Sequence, residues 1–218
     1  MLTPVGLNGH DDVALSTSDL QRLEVLSTGI AEALINAMEA KSPFLRGHAN
    51  RVAATAAAIA SQMDLDDSMV EQIRLAGKLY EVGLIGVRES VLDKPASLTP
   101  EEVAHVREHV RIGLDILSPL VHLGSVLKFV ADHHERLDGS GYPLGISGDE
   151  ISLGGRILAA ADQFDALTSP RAYRDAMDPV KSLTFLASRG SKAICPTVLP
   201  ALARLVQTGQ VLVFLDDN

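Results

Sequence analysis

The segment from residue 46 to residue 63 is rich in alanine, and this feature constrains the fold more than any other. Six of its alanines are Ala53, Ala54, Ala56, Ala57, Ala58 and Ala60. Alanine is the strongest helix former, and its small side chain lets neighbouring helices approach closely. The chain also has no Trp, only five Phe and three Tyr among 218 residues. Together these observations predict an all-α fold of helices packed on helices.

Hydrophobic periodicity and helix-capping residues predict further helices along the chain. The expected ranges are about 18–40, 67–80, 119–134, 153–168, 179–188 and 197–208, with one more beginning at Pro100. The first helix is expected to pack through an apolar stripe of Leu20, Leu23, Leu26, Ile30, Leu34 and Met38. We predict one helical domain over residues 18–210, with tails at residues 1–17 and 211–218.

The segment Thr99-Pro100-Glu101-Glu102 has the residues of a helix start. It offers a capping threonine, a proline at the first helical position and a glutamate at the third. We expect the helix that follows to carry His105 and His109 on one face.

The formal net charge is -9. This charge argues against duplex nucleic acid and anionic membranes as partners, because such binding needs clustered Lys and Arg. A small anionic ligand needs only a local basic pocket. The first twelve residues lack a signal peptide pattern, and no stretch is long and apolar enough to span a bilayer. We therefore expect a cytoplasmic protein.

Several residues are candidate metal ligands, because imidazole and carboxylate groups suit Fe, Mn or Zn at hydrolytic sites. They are His48, His109, His133, His134 and Asp162. Their spacing alone is weak evidence, since a histidine is more often an ordinary surface residue. Neighbouring residues on a helix point about 100° apart, so His133 and His134 can reach one centre only near a helix end or bend. From the residues alone, His133 and His134 are explained equally well as metal ligands and as ordinary surface or hydrogen-bonded histidines.

The segment His133-His134-Glu135-Arg136-Leu137-Asp138-Gly139-Ser140-Gly141-Tyr142-Pro143 closely resembles the HHExxDGxGYP signature of the HD-GYP family. The resemblance extends to Lys94-Pro95, to His109 with Ile112-Gly113, and to the segment from Arg156 to Thr168. It covers about residues 20–205.

This resemblance implies a helical bundle around a metal centre that hydrolyses cyclic di-GMP to linear dinucleotide or GMP, often with iron or manganese. The matching metal ligands are His48, Glu81, His109, His133, His134 and Asp162. Glu81 and Asp162 are also the implied catalytic carboxylates. The matching ligand-binding positions are Tyr142, Asp165, Arg171 and Arg174, and guanidinium groups suit phosphodiester oxygens.

The match fails where the family has its HD pair, because this chain has Tyr80-Glu81 there. A phenol is a poor metal ligand near neutral pH. Glu81 keeps the charge of the bridging aspartate but adds a methylene, and Leu84 replaces a lysine expected near the scissile phosphate. Phe44 stands where members with a third metal have glutamate. These changes predict an incomplete site with one or two ions, iron or manganese or else zinc, or with none.

Three functions remain open at this point. The preferred one is a cyclic di-GMP signalling module that turns its ligand over slowly or not at all and acts by binding a ligand or partner. The second is an active metal-dependent phosphodiesterase in which Glu81 replaces the bridging aspartate. The third is a scaffold that docks a diguanylate cyclase through the GYP face. The sequence leaves the oligomeric state undetermined.

Overall fold

The computed structural model describes residues 16–42, 45–120, 123–170, 174–190 and 194–211. Within these ranges the chain forms α-helices joined by short 3-10 helices and turns, without a β-strand. The helices are α1 (Thr17–Lys41), α2 (His48–Gln62), α3 (Asp67–Leu79), α4 (Glu89–Leu92), α5 (Pro100–Arg107), α6 (His109–Leu117), α7 (Ser125–Asp132), α8 (Leu153–Thr168), α9 (Pro179–Ser188) and α10 (Leu199–Gln207). The predicted all-α fold is confirmed. The domain boundaries stay a prediction, because both tails lie almost wholly outside the described ranges.

The alanine-rich helix α2 lies at the centre of the bundle and packs against α3, α8 and α10. Close packing is clearest where Gly77 of α3 faces Ala53 of α2. A Cβ added at Gly77 would lie 2.6 Å from the Ala53 Cα, a distance that real Cβ contacts do not reach. The small residues of α2 therefore let α3 approach its backbone, as the sequence predicts.

The predicted helix after Thr99 is interrupted at Glu108 and forms two helices, α5 and α6. The capping box is present, since Glu102 N donates to Thr99 Oγ1 and Thr99 N donates to the Glu102 carboxylate. The prediction that His105 and His109 share one helix face is wrong. Helix α5 has no buried residue, whereas α6 buries His109 and Val110. At the interruption Glu108 N donates to the His105 carbonyl three residues back, and the Val106 carbonyl accepts from His109 Nδ1.

Two other predictions need correction. The helix expected over 119–134 is shorter, because α7 begins at Ser125 after Gly124, whose φ is 46°. In α1, the inner part of the stripe packs as predicted, with Met38 buried, but Leu26 is 60% exposed. The side chains of Leu20 and Leu23 lie outside the described part of the structure.

A 3-10 helix at Val82–Gly86 connects α3 to α4 and was missed by the sequence analysis. It lies directly on α6, because a Cβ added at Gly83 would be only 1.9 Å from the His109 carbonyl oxygen. The Lys41 ammonium group donates to the carbonyls of Leu84, Ile85 and Val87. This connection brings Gly83 against the backbone of His109, the first residue of α6.

Among the described helices, none combines the length and the hydropathy that crossing a bilayer requires.

Candidate metal centre

Three histidines from two helices converge at one end of the bundle. His109 is the first residue of α6, and His133 and His134 directly follow α7. Each offers a ring nitrogen, and these atoms lie within 4.8 Å of one another. The adjacent pair reaches one centre because it stands at a helix end, as the sequence analysis required. We call His109, His133 and His134 the three-histidine group.

The hydrogen bonds of this group place its protons. His109 Nδ1 lies 2.7 Å from the Val106 carbonyl oxygen, and His133 Nδ1 lies 2.6 Å from the Val130 carbonyl oxygen. A carbonyl only accepts, so Nδ1 of each ring is the donor and Nε2 of each neutral ring has a lone pair. The two Nε2 atoms lie 3.4 Å apart. Two lone pairs at this distance repel unless a cation lies near both, so the group fits a divalent metal ion.

The electrostatics keep these rings neutral. Burial lowers the pKa of His133 to about 4, with a further decrease from His109. Burial also lowers the pKa of His109 and, with the neighbouring His133, that of His134. The negative charge of Asp162 opposes each decrease without overcoming it. Neutral imidazole is the form that binds metal, so the rings are ready as ligands at neutral pH.

A second set of possible ligands consists of His48, Glu81 and Asp162, which we call the His48 group. His48 Nε2 lies 3.5 Å from a Glu81 carboxylate oxygen and 3.3 Å from Asp162 Oδ1. Tyr80 lies between this group and the three-histidine group. Its ring packs edge-on against His133, with centroids 4.9 Å apart. Its hydroxyl lies 2.7 Å from His48 Nε2 and 3.0 Å from Asp162 Oδ1.

The other face of His48 is held by a buried ion pair. His48 Nδ1 lies 2.6 Å from Asp165 Oδ2, and Arg51 Nε donates to Asp165 Oδ1 at 2.7 Å. Both partners are buried. The sequence analysis missed Arg51, although an arginine three positions after a candidate ligand, in a helix with no other Arg, Lys, Asp or Glu, was an available signal.

The charges of the His48 group shift its pKa values strongly. Burial alone would lower the pKa of His48, but Glu81, Asp162 and Asp165 together raise it to about 10. Burial and the nearby carboxylates hold the pKa of Tyr80 well above its usual range. Burial would raise the pKa of Asp162 and Asp165, yet their hydrogen bonds to His48 lower both. In the absence of metal, His48 is therefore an imidazolium among carboxylates.

The GYP segment, by which we mean residues 141–145, lies against the three-histidine group. The Tyr142 ring stacks on His134 with centroids 4.6 Å apart, and the Arg107 guanidinium lies 4.9 Å from the Tyr142 ring centre. The Glu135 carboxylate accepts from the backbone N–H groups of Leu144 at 2.7 Å and Gly145 at 3.2 Å. Arg107 and Glu135 were not assigned from the sequence. Glu135 lies inside the motif and Arg107 two residues before His109, so both were within reach.

The remaining predicted positions have different surroundings. Asp165 is buried behind His48, so the structure gives it a positioning contact, and its role toward a ligand stays a prediction. Arg174 donates to the carbonyls of Ala166 and Leu167 near the end of α8. Arg171 and Phe44 lie outside the described residues. Leu84, which stands in the lysine position, packs in a small apolar cluster with Ile35, Met38, Ala49, Val87 and Val91.

Comparison with known proteins agrees with this geometry. A family model described as HD domain matches residues 32–198. The chain is 40% identical over 167 residues to a 3'3'-cGAMP-specific phosphodiesterase 3 of Vibrio cholerae, covering 77% of this chain and 36% of the relative. It is 37% identical over 162 residues to a cyclic di-GMP phosphodiesterase of Thermotoga maritima, covering 72% of this chain and 44% of that protein. The chain belongs to the HD-domain family, and its resemblance to the HD-GYP type is confirmed.

Solved structures extend the comparison. A crystal structure of a cyclic GMP-AMP specific phosphodiesterase of V. cholerae matches with a TM-score of 0.55 and 33% identity, over 88% of this chain and 42% of that chain. An HDG"Y"P protein from Bdellovibrio bacteriovorus matches with a TM-score of 0.59 over 73% of this chain and 51% of that chain. Its identity of 16% shows the fold alone. The chain spans only about half, or less, of the length of these relatives.

Proposed function

We propose that the chain is a cyclic di-GMP signalling module of the HD-GYP type that acts by binding a ligand or partner and is weak or inactive as a phosphodiesterase. In this proposal the three-histidine group holds a divalent ion, iron or manganese before zinc, and the face formed by the GYP segment binds a cyclic dinucleotide. The observation that carries it is the approach of the Nε2 atoms of His109 and His133 to 3.4 Å.

The protein groups around the three-histidine group support binding of a phosphodiester. A divalent ion there would supply Lewis acidity and an acidified water. Tyr142 presents an aromatic ring beside His134, suited to stacking on a nucleobase. Arg107 adds a fixed positive charge next to that ring. A guanidinium is matched to phosphate oxygens, so this face suits an anionic nucleotide although the chain is acidic overall.

Weak turnover is proposed because the site lacks a cation where the family has lysine. Leu84 is buried in an apolar cluster. The nearby Lys41 ammonium is engaged by backbone carbonyls. Losing one preorganised group that stabilises developing charge costs about 100-fold or more in rate. Turnover should therefore be at least about 100-fold slower than that of an HD-GYP enzyme with this lysine.

The test combines binding, metal content and turnover on anaerobically purified protein. Calorimetry with cyclic di-GMP and with 3'3'-cGAMP measures binding, mass spectrometry measures Fe and Mn, and chromatography measures hydrolysis. We expect His133→Ala to remove the metal and Tyr142→Ala to weaken nucleotide binding while the metal stays. His105→Ala is the matched control, because this histidine lies on α5 outside both groups. If neither nucleotide bound the metal-loaded protein, the result would contradict the proposal.

Two alternatives each have an observation in their favour. An active phosphodiesterase is favoured by Glu81, which keeps a carboxylate near Asp162 and His48. Efficient metal-dependent hydrolysis that disappears in His133→Ala would establish this alternative. Docking of a diguanylate cyclase is favoured by Leu144, a GYP-segment side chain that is 71% exposed. Binding of such a cyclase without nucleotide, lost in Leu144→Ser but kept in Val180→Ser, would support docking. Val180 is comparably exposed, at 60%, and lies on α9.

A further inference from the structure

The two candidate metal groups differ in what their ligand atoms already contact. In the three-histidine group, the Nε2 atoms of His109 and His133 face each other across 3.4 Å. In the His48 group, the Tyr80 hydroxyl stands among the ligand atoms themselves. It lies 2.7 Å from His48 Nε2 and 3.0 Å from Asp162 Oδ1. An ion bound by these two atoms would have to displace that hydroxyl.

The direction of the hydrogen bonds strengthens this point. A carboxylate accepts only, so the Tyr80 O–H donates to Asp162. The Tyr80 oxygen then accepts from His48 Nε2–H, and His48 Nδ1–H donates to Asp165. Both ring nitrogens of His48 are therefore already engaged, Nε2 by the Tyr80 hydroxyl and Nδ1 by the Asp165 carboxylate. Arg51 completes the chain by donating to Asp165 from the other side.

This chain of hydrogen bonds is built into the core. Tyr80 is 0% exposed and His48 is 3% exposed. The Tyr80 ring is fixed by its edge-on contact with His133. An ion that displaced the hydroxyl would itself bind His48 Nε2 and Asp162, but it would leave the fully buried Tyr80 O–H without its partners, which is costly.

We infer that Tyr80 and His48 take the place of a second metal ion, so that the chain binds a single divalent ion in the three-histidine group. The inference rests on the proposed metal binding by that group. It deepens the proposed function because it states how many ions the chain binds and which of the two groups holds them. Tyr80 and His48 are here positioning residues for the carboxylate of Asp162.

The test is metal stoichiometry after anaerobic loading with Mn²⁺ and removal of free ion. We expect one ion per chain in the wild type by mass spectrometry, with the electron paramagnetic resonance spectrum of an isolated Mn²⁺. His133→Ala should lose this ion, whereas His48→Ala should keep it. Circular dichroism checks that each variant folds.

A gain-of-site variant completes the test. Replacing the phenol with an imidazole should let the His48 group bind metal, so Tyr80→His, or Tyr80→His with Glu81→Asp, should hold two ions with the spectrum of a coupled pair. If neither variant folds, the wild-type stoichiometry and spectrum decide alone.

The outcomes separate the inference from the proposed function. Two ions in the wild type would overturn the inference and leave the proposed metal site intact. One ion that is lost in His48→Ala but kept in His133→Ala would also overturn it. Folded variants that gain no second ion would contradict the role of Tyr80. No ion in the loaded wild type would instead overturn the proposed metal site itself.

Discussion

The three-histidine group and the His48 group lie side by side, yet their histidines differ in charge. The rings of the first group are neutral, whereas His48 is protonated. In the first, burial lowers the pKa of His133 to about 4 and keeps the ring neutral. In the second, burial acts in the same direction, but the carboxylates overcome it and raise the pKa of His48 to about 10. The comparison teaches that the acids around a buried histidine decide whether its ring is neutral or a cation.

The largest effect is expected from breaking the buried ion pair behind His48. Asp165→Ala leaves Arg51 and His48 without their common partner. Removing one member of a buried pair costs about 3–5 kcal/mol, and urea denaturation measures it. Asp115→Ala is the matched control. It removes an exposed pair with Arg111, and such pairs contribute about 1 kcal/mol or less. Similar losses of stability in the two variants would show that the contacts of Asp165 with His48 and Arg51 do not preorganise the His48 group.

The second prediction uses pH to separate the groups in metal-free protein. His48 has a folded pKa near 10, raised from 6.5. Its contribution to stability is therefore fully present below pH 6.5 and is lost as pH rises towards 10. His133 has a folded pKa near 4. Its neutral form is favoured by folding, so its contribution is present above pH 6.5 and is lost as pH falls towards 4.

The urea concentration at the unfolding midpoint should thus decrease both as pH falls below neutral and as pH rises above neutral. His48→Gln should flatten the alkaline side, and His105→Gln, the control, should leave both sides unchanged. An unchanged alkaline slope in His48→Gln would mean that His48 is neutral in the folded protein.

The sequence predicted the three-histidine group better than the His48 group, and the reason is local. His133 and His134 belong to one continuous motif, so their geometry follows from one helix end. The contact between Arg51 and Asp165 joins residues 114 positions apart. No periodicity or spacing marks such a contact, because it depends on how α2 and α8 pack. The break at Glu108 was missed because neither Gly nor Pro marks it in the sequence.

The third prediction tests the hydroxyl that separates the two groups. Tyr80→Phe keeps the buried ring but leaves His48 Nε2 and Asp162 Oδ1 without their common partner. These two atoms still face each other at 3.3 Å, so the loss is that of the hydroxyl's hydrogen bonds to charged groups, about 1.5–3 kcal/mol, measured by urea denaturation. Tyr142→Phe is the control at a partly exposed position, with an expected change of about 0.5 kcal/mol or less. Equal effects in the two variants would mean that the Tyr80 hydroxyl does not stabilise the His48 group.

The smallest effect is expected outside both groups, at the start of α5. Thr99→Ala removes the side-chain acceptor of the capping box, which costs about 1 kcal/mol. Thr99 lies at the opposite end of α5 from Val106, whose carbonyl accepts from His109 Nδ1, so fraying of the first turn of α5 should not disturb His109. We therefore expect a lower urea midpoint with unchanged Mn²⁺ content. A loss of metal in this variant would mean that the position of His109 depends on the start of α5. The three-histidine group would then be less preorganised than the His48 group beside it.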